Sequence, residues 1–217
     1  MKKIPAAFLS LLCSLFSFAQ NNAETKPIPW LFEYFTKGQV LLKSGSTEYA
    51  SLNYNTDDQT IAFEKDGKTM ILTGLETIDT IYFFNKRFVP GPDDHIYEVI
   101  TSSPVAALCA SYYGKLKPAI AVTDKNGTSH KEAGEASNTM SGIYVLRPYK
   151  GDYTVEIQKS FWLIKHKQLY KANSEKQFNK VFSHQETAIS KYIADNKIRF
   201  NNENDLIKLT AFCNALL

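Results

Sequence analysis

The sequence predicts an α+β chain that is mainly β: an antiparallel meander forming a twisted sheet or open barrel, with three short C-terminal helices. Three observations predict it. Between residues 39 and 165, apolar and polar residues alternate with a period of two between turns rich in Gly, Asn and Asp. Aromatics make up 13% of the chain, with 14 Phe and 12 Tyr, which suit a pleated, half-buried surface. From residue 174 the apolar spacing changes to that of a helix.

Residues 1–19 read as a signal peptide. Lys2 and Lys3 are followed by the uncharged apolar run Ala6 to Phe16. Ser17 and Ala19 then put small residues at the −3 and −1 positions of a cleavage site before Gln20. The run is too short to span a bilayer comfortably. Leu12 stands before Cys13 where a lipoprotein signal needs a small residue. Cleavage removes two of 25 basic residues and no acid, leaving 23 against 22 and a net charge of +1. That balance gives no field for nucleic acid or anionic lipid. Val105 to Val122 is the most apolar later stretch, but Lys115, Lys117 and Pro118 interrupt it, so no transmembrane segment is expected after cleavage.

Residues 20–37 read as a leader and a short docking helix. Pro27 and Pro29 precede Trp30, Leu31, Tyr34 and Phe35, whose spacing suits one or two helical turns. Residues 38–217 read as a single β-rich domain with a helical tail over 174–217. In 39–73 the turns Ser44-Gly45-Ser46, Thr56-Asp57-Asp58 and Asp66-Gly67 separate alternating runs. Thr77 to Phe84 carries Ile78, Thr80, Tyr82 and Phe84 on one face and Asp79, Ile81 and Phe83 on the other. Its C-terminal end is apolar on both faces and is expected to be covered on both. Asn85-Lys86-Arg87 reads as a turn. Ile96 to Ile100 and Val105 to Tyr113 make a hairpin, and Ala119 to Val122 is a further strand. Lys125 to Ser141 reads as an exposed polar loop, either the contact region, because loops on a rigid scaffold carry recognition, or a tolerated insertion with no role. Strands resume at Ile143 to Leu146, Tyr153 to Ile157 and Phe161 to Ile164.

Ser174 with Gln177 and Ser183 with Glu186 read as capping boxes, and Asn202 with Asp205 starts a third helix. Asn196 suits a left-handed cap. The last stripe is Leu206, Leu209, Cys213, Leu216 and Leu217. It cannot stay solvated alone, so the tail must pack on the β part.

Candidate chemistry is sparse. His95, His130, His166 and His184 show no zinc-site spacing, and no Cys-x-x-Cys occurs. Asp93-Asp94-His95 with Glu98 is the densest ligand-like group, yet it supplies too few oxygens for a hard-ion loop and reads as a solvated turn. No nucleophile elbow, Ser-x-x-Lys pair or Gly-rich phosphate loop is present. Tyr82, Phe83, Phe84, Phe88, Tyr112, Tyr113 and Trp162 offer stacking surfaces, but at strand period such residues are usually core. Asn126-Gly127-Thr128 matches a glycosylation acceptor and also suits a turn. Cys109 and Cys213 read as two buried free thiols, with one bridge as the alternative. No catalytic, cofactor-binding or metal residue is assigned, and no cofactor is called for.

The ordered string GQVLLKSGSTEYASLNYNTDDQTIAF, TIDTIYFFNKRFVP, IYEVI and the tail KQLYKANSEKQFNKVF…ISKYIADNKIRFNNENDLIKL resembles a family of small exported proteins of Bacteroidota. The leader ending in Phe18-Ala19-Gln20 is similar to leaders of that phylum. The resemblance covers residues 38–214. It implies export and a β-rich fold, and carries no catalytic residues over.

The functional expectation is an exported non-enzymatic binding or structural module of the periplasm or outer-membrane face. Its partner is a protein, an envelope polymer or a small apolar ligand. One alternative is a carrier of an apolar ligand in a half-open barrel. A second is a hydrolase with a dispersed site.

Overall fold

A computed structural model of the chain describes residues 28–118, 120–123, 129–132, 138–139, 142–148 and 153–217, and side chains over 28–117 and 154–217. Residues 1–19, expected to be a signal peptide, and the Asn126-Gly127-Thr128 sequence lie outside the described residues, as does much of 125–141.

The meander forms as read. β1 (Thr36–Leu42), β2 (Thr47–Asn55), β3 (Thr60–Lys65) and β4 (Lys68–Ile71) pair in succession. Asp66 and Gly67 take φ of 50° and 71°, the left-handed pair that a two-residue hairpin needs. From the other edge of β1 follow β5 (Ile78–Phe83), β6 (Lys86–Pro90), β7 (Ile96–Thr101) and β8 (Ala107–Pro118). β9 (Ile120–Thr123) and β10 (Ser129–Glu132) form a separate hairpin. β11 (Asn138–Thr139), β12 (Gly142–Pro148), β13 (Tyr153–Lys165) and β14 (Gln168–Lys171) complete the strands. β13 runs antiparallel to β8 along its length, and its other edge is shared by β12 and β14. Among the described residues the main sheet has twelve strands and is not closed into a barrel.

The sheet curls strongly. The Gly114 amide donates to Thr56 O at 3.0 Å and the Ile96 amide to Gln59 O at 2.9 Å, so the β2–β3 turn folds back onto β7 and β8. The buried Tyr54 hydroxyl donates to Ile96 O at 2.9 Å. Gly114 is required there, because a Cβ would lie 2.0 Å from Thr56 Oγ1.

Cross-strand pairing puts Val40, Ile81, Phe88, Glu98, Ala110 and Phe161 on one face. This inner face carries two apolar clusters. One lies inside the curl and includes Leu52, Tyr54, Ile61, Ile81, Phe88 and Tyr112. The other lies under α1 (Glu175–Val181), α2 (Glu186–Asn196) and α3 (Glu203–Ala215), where Leu108, Phe161 and Leu163 meet Phe178, Leu206 and Leu209. The tail therefore closes one of the two core clusters. Cys109 and Cys213 are both buried free thiols, and burial pushes each up to about 12.

Several local expectations are overturned. Residues 30–35 form no docking helix. They run as bends beside β2, with Trp30 bridging Asn55 and the Leu31 amide donating to Tyr54 O. Asn53 holds this segment: its Oδ1 accepts from the Phe32 amide at 3.2 Å, and its Nδ2 donates to the carbonyls of Phe32 and Tyr34. Those bonds replace helical ones. The β5–β6 turn is Phe84-Asn85, both at positive φ, so Lys86 and Arg87 belong to a strand. The segment 125–141 includes strands β10 and β11 and is not loop throughout. Tyr153 to Lys165 is one continuous strand, because β8 pairs with it from Tyr153 to Ile164. Gln185 and not Ser183 stands at the N-cap position of α2, without a side-chain cap bond, and the left-handed residue that ends the helix is Lys197 and not Asn196. At α1 the Gln177 side chain accepts from the Asn173 amide, but Ser174 makes no side-chain cap bond. Asn202 caps α3 as expected, accepting from the Asp205 amide at 3.0 Å. Leu217 lies past the last turn and is exposed.

Candidate functional site

The face opposite the core is open where β1, β2, β5 and β6 meet around Gln39, and is closed further along β2, where Asn53 is buried against residues 32–34. Gln39 pairs with Tyr49 on one side and with Tyr82 on the other, and Tyr82 pairs with Arg87. These pairings put Tyr49, Gln39, Tyr82 and Arg87 in one row perpendicular to the strands. Tyr49 is 74% exposed and Tyr82 is 41% exposed, so both rings present surface to solvent. The tyrosines are two strand steps apart, about 10 Å. Lys37 and the Phe84-Asn85 turn border the row, and together these residues line an open trough of about 710 Å³.

The turn beside the trough is strained. Phe84 has φ of 49°, in the left-handed region where a bulky side chain is an outlier. Its ring stacks on Phe32 at 4.1 Å and meets Tyr34 at 5.3 Å, which holds the conformation. Strain of this kind collects at functional sites when the surroundings over-determine it.

Lys86 links the trough to a knot of charge on the inner face. It donates to Glu98 Oε1 at 2.5 Å. Tyr112 donates to Glu98 Oε2, and Lys159 lies 3.6 Å from that oxygen. Lys159 also pairs with Glu203 at the start of α3 and sits over the rings of Tyr112 and Phe161. Burial disfavours the Glu98 carboxylate, but Lys159, Lys86 and the Tyr112 hydroxyl outweigh it and hold the group below its ordinary value. Burial and the Glu98 charge raise Tyr112. Lys86 is the one member that lines the trough. The knot joins the two core clusters and ties α3 to the sheet.

The ligand-like sequence group separates in space. Asp93 accepts from the Tyr97 hydroxyl at 2.7 Å and lies 3.1 Å from His95 Nδ1. Glu98 points to the opposite face, where it meets Lys86. Burial raises Asp93, and the bonds from Tyr97 and His95 outweigh it, so the carboxyl lies below its ordinary value. Among the described residues no group of three His, Cys, Asp or Glu side chains is arranged to hold a metal ion.

Of the stacking candidates, Phe83, Phe88 and Tyr112 are core. Phe84 packs in the turn, and Trp162 is half-buried against Tyr97 with its Nε1 donating to Ser111 Oγ at 2.9 Å. Tyr82 and Tyr113 are exposed. The end of β5 is thus covered on one face only, against expectation, because only the inner side of the curl is filled. Tyr49, Gln39, Lys37 and Arg87 were not legible as site residues. One signal for Tyr49 exists: it shares the polar face of β2 with Ser51 and Asn53, where an aromatic ring has no core to enter.

No family model, curated protein or solved structure matches the chain at a significant level. Function is therefore to be read from the chemistry of the site.

Proposed function

We propose that the chain is an exported, non-enzymatic binding module of the periplasm or outer-membrane face, and that it holds an envelope polymer of sugar rings across its outer sheet face. The observation that carries this reading is the row Tyr49, Gln39, Tyr82 and Arg87 beside an open trough of about 710 Å³. A tyrosine ring offers an apolar face and a polar tip, which suits a sugar's C–H face and its hydroxyls. Gln39 between the rings supplies a donor and an acceptor. An open trough takes a long chain better than a small molecule, which favours enclosed pockets. Export rests on the reading of residues 1–20, and the mature mass should begin at Gln20.

The test is affinity electrophoresis in gels containing soluble polysaccharides. The chain should be retarded, and a Tyr49→Ala, Tyr82→Ala double variant with an unchanged melting midpoint should run free. Equal retardation of variant and parent would end this assignment.

A second reading has one specific observation behind it. A cleft of about 440 Å³ is lined by Val40, Leu42, Leu52, Phe63, Leu72 and Ile78, with Glu48, Glu64 and Lys65 also in its wall. It fits the carrier of an apolar ligand. Displacement of a fluorescent fatty acid, lost in Ala50→Trp, would favour it over the polymer.

A further inference from the structure

The charges around the trough narrow the ligand class, on the premise that the outer face binds a polymer. We propose that the trough takes an acidic glycan, a chain of sugar rings bearing carboxylate or sulfate groups.

The lining holds three cations, Lys37, Lys86 and Arg87, and no carboxylate. Lys86 is already matched by Glu98 on its inner side. Among the described residues neither Lys37 nor Arg87 makes an ion pair, so no described carboxylate compensates these two charges. That local excess contrasts with a chain that is nearly neutral after removal of Lys2 and Lys3. Arg87 follows Tyr82 directly in the row. Its planar guanidinium grips a carboxylate or sulfate with two parallel bonds, while the neighbouring ring stacks on the sugar that bears the group. Lys37 lies two residues before Gln39 on the same strand face, one row away, and offers a second point charge. The spacing of the two tyrosines, about 10 Å across two strand steps, is the span of a disaccharide in an extended chain. Rings and charges thus meet a polymer that has both.

The test measures binding of the full chain to four soluble polymers by calorimetry: polygalacturonate, dextran sulfate, neutral dextran and polyglutamate. The expected result is tightest binding to one of the two acidic glycans, which also separates carboxylate from sulfate. Affinity should fall as salt rises, because Lys37 is exposed and Arg87 half-exposed, and such charges are screened within about 10 Å at 0.1 M. Arg87→Gln with Lys37→Gln should weaken that binding roughly tenfold or more, with an unchanged melting curve. Equal, salt-independent binding to dextran would overturn the acidic ligand and leave the polymer reading standing. Polyglutamate binding as tightly as the glycans would overturn the sugar rings and favour an acidic protein. An unchanged affinity in the double variant would remove the two cations from the site. Binding to none of the four would overturn both readings.

Discussion

Replacing Glu98 by Gln tests whether the inner-face knot holds the two halves of the core together. Gln keeps the side chain's size and lets Tyr112 go on donating, but it removes the charge facing Lys86 and Lys159. The Glu98 side chain is 9% exposed and that of Lys159 12%, so solvent replaces little of what is lost. Removing one partner of a buried pair costs about 3–5 kcal/mol when nothing else compensates. Here Lys159 keeps Glu203, and Lys86 is exposed enough to turn to water, so the cost falls to about 2–3 kcal/mol. For a chain of this length that is a fall in melting midpoint of about 4–12 °C. The assay is urea unfolding followed by far-ultraviolet circular dichroism, repeated for Lys159→Met and for the double variant. The two changes should be strongly non-additive, because each removes part of one network. The pH dependence has a definite sign. The Glu98 carboxyl is held below its ordinary value in the folded chain, so its stabilisation is complete above the ordinary glutamate range. It is lost as pH falls through that range towards the lowered folded value. The parent should therefore lose more stability on acidification than Glu98→Gln does. A variant within about 0.5 kcal/mol of the parent, or additive costs in the cycle, would refute the coupling.

Gly114→Ala should destabilise the chain by about 1–3 kcal/mol, read from the unfolding midpoint, since the new Cβ meets Thr56 Oγ1, itself bonded to Pro29 O. Asn53→Ala should cost about 1–3 kcal/mol and expose the 30–35 segment to limited proteolysis, because three bonds to Phe32 and Tyr34 are lost. Leu209→Ala should cost about 2–5 kcal/mol; a change under about 0.5 kcal/mol would show the tail not to be core. Cys109 and Cys213 should resist a neutral-pH thiol reagent until urea unfolds the chain, and rapid labelling of the native protein would contradict their burial.

Much of the backbone was legible because it depends on near neighbours. Asp66-Gly67 fixes its hairpin whatever surrounds it, since only residues that tolerate positive φ close a two-residue turn. Short turns leave no room for crossovers, which made the meander antiparallel. The stripe of Leu206, Leu209 and Cys213 follows from helical period alone. Trp30 to Phe35 failed for the complementary reason. Their spacing suits a helix, but Asn53 offered their backbone groups better partners, and no local pattern registers a distant amide.

The candidate site belongs to the tertiary structure. Alternation along β5 divides Ile81 and Phe83 from Tyr82, but it does not say which side will be covered. That was decided by the direction of the curl and by the docking of α1 to α3, both on the inner face. Tyr49, Gln39, Tyr82 and Arg87 share a row only because the registers of three strand pairings add up that way. Glu98 and Lys159 meet on the strands flanking β8, and Glu203 reaches them from a helix. A sequence sets the periods and turns because those are local free energies. Which residues become neighbours depends on long-range pairing and burial, which are settled only when the whole chain packs.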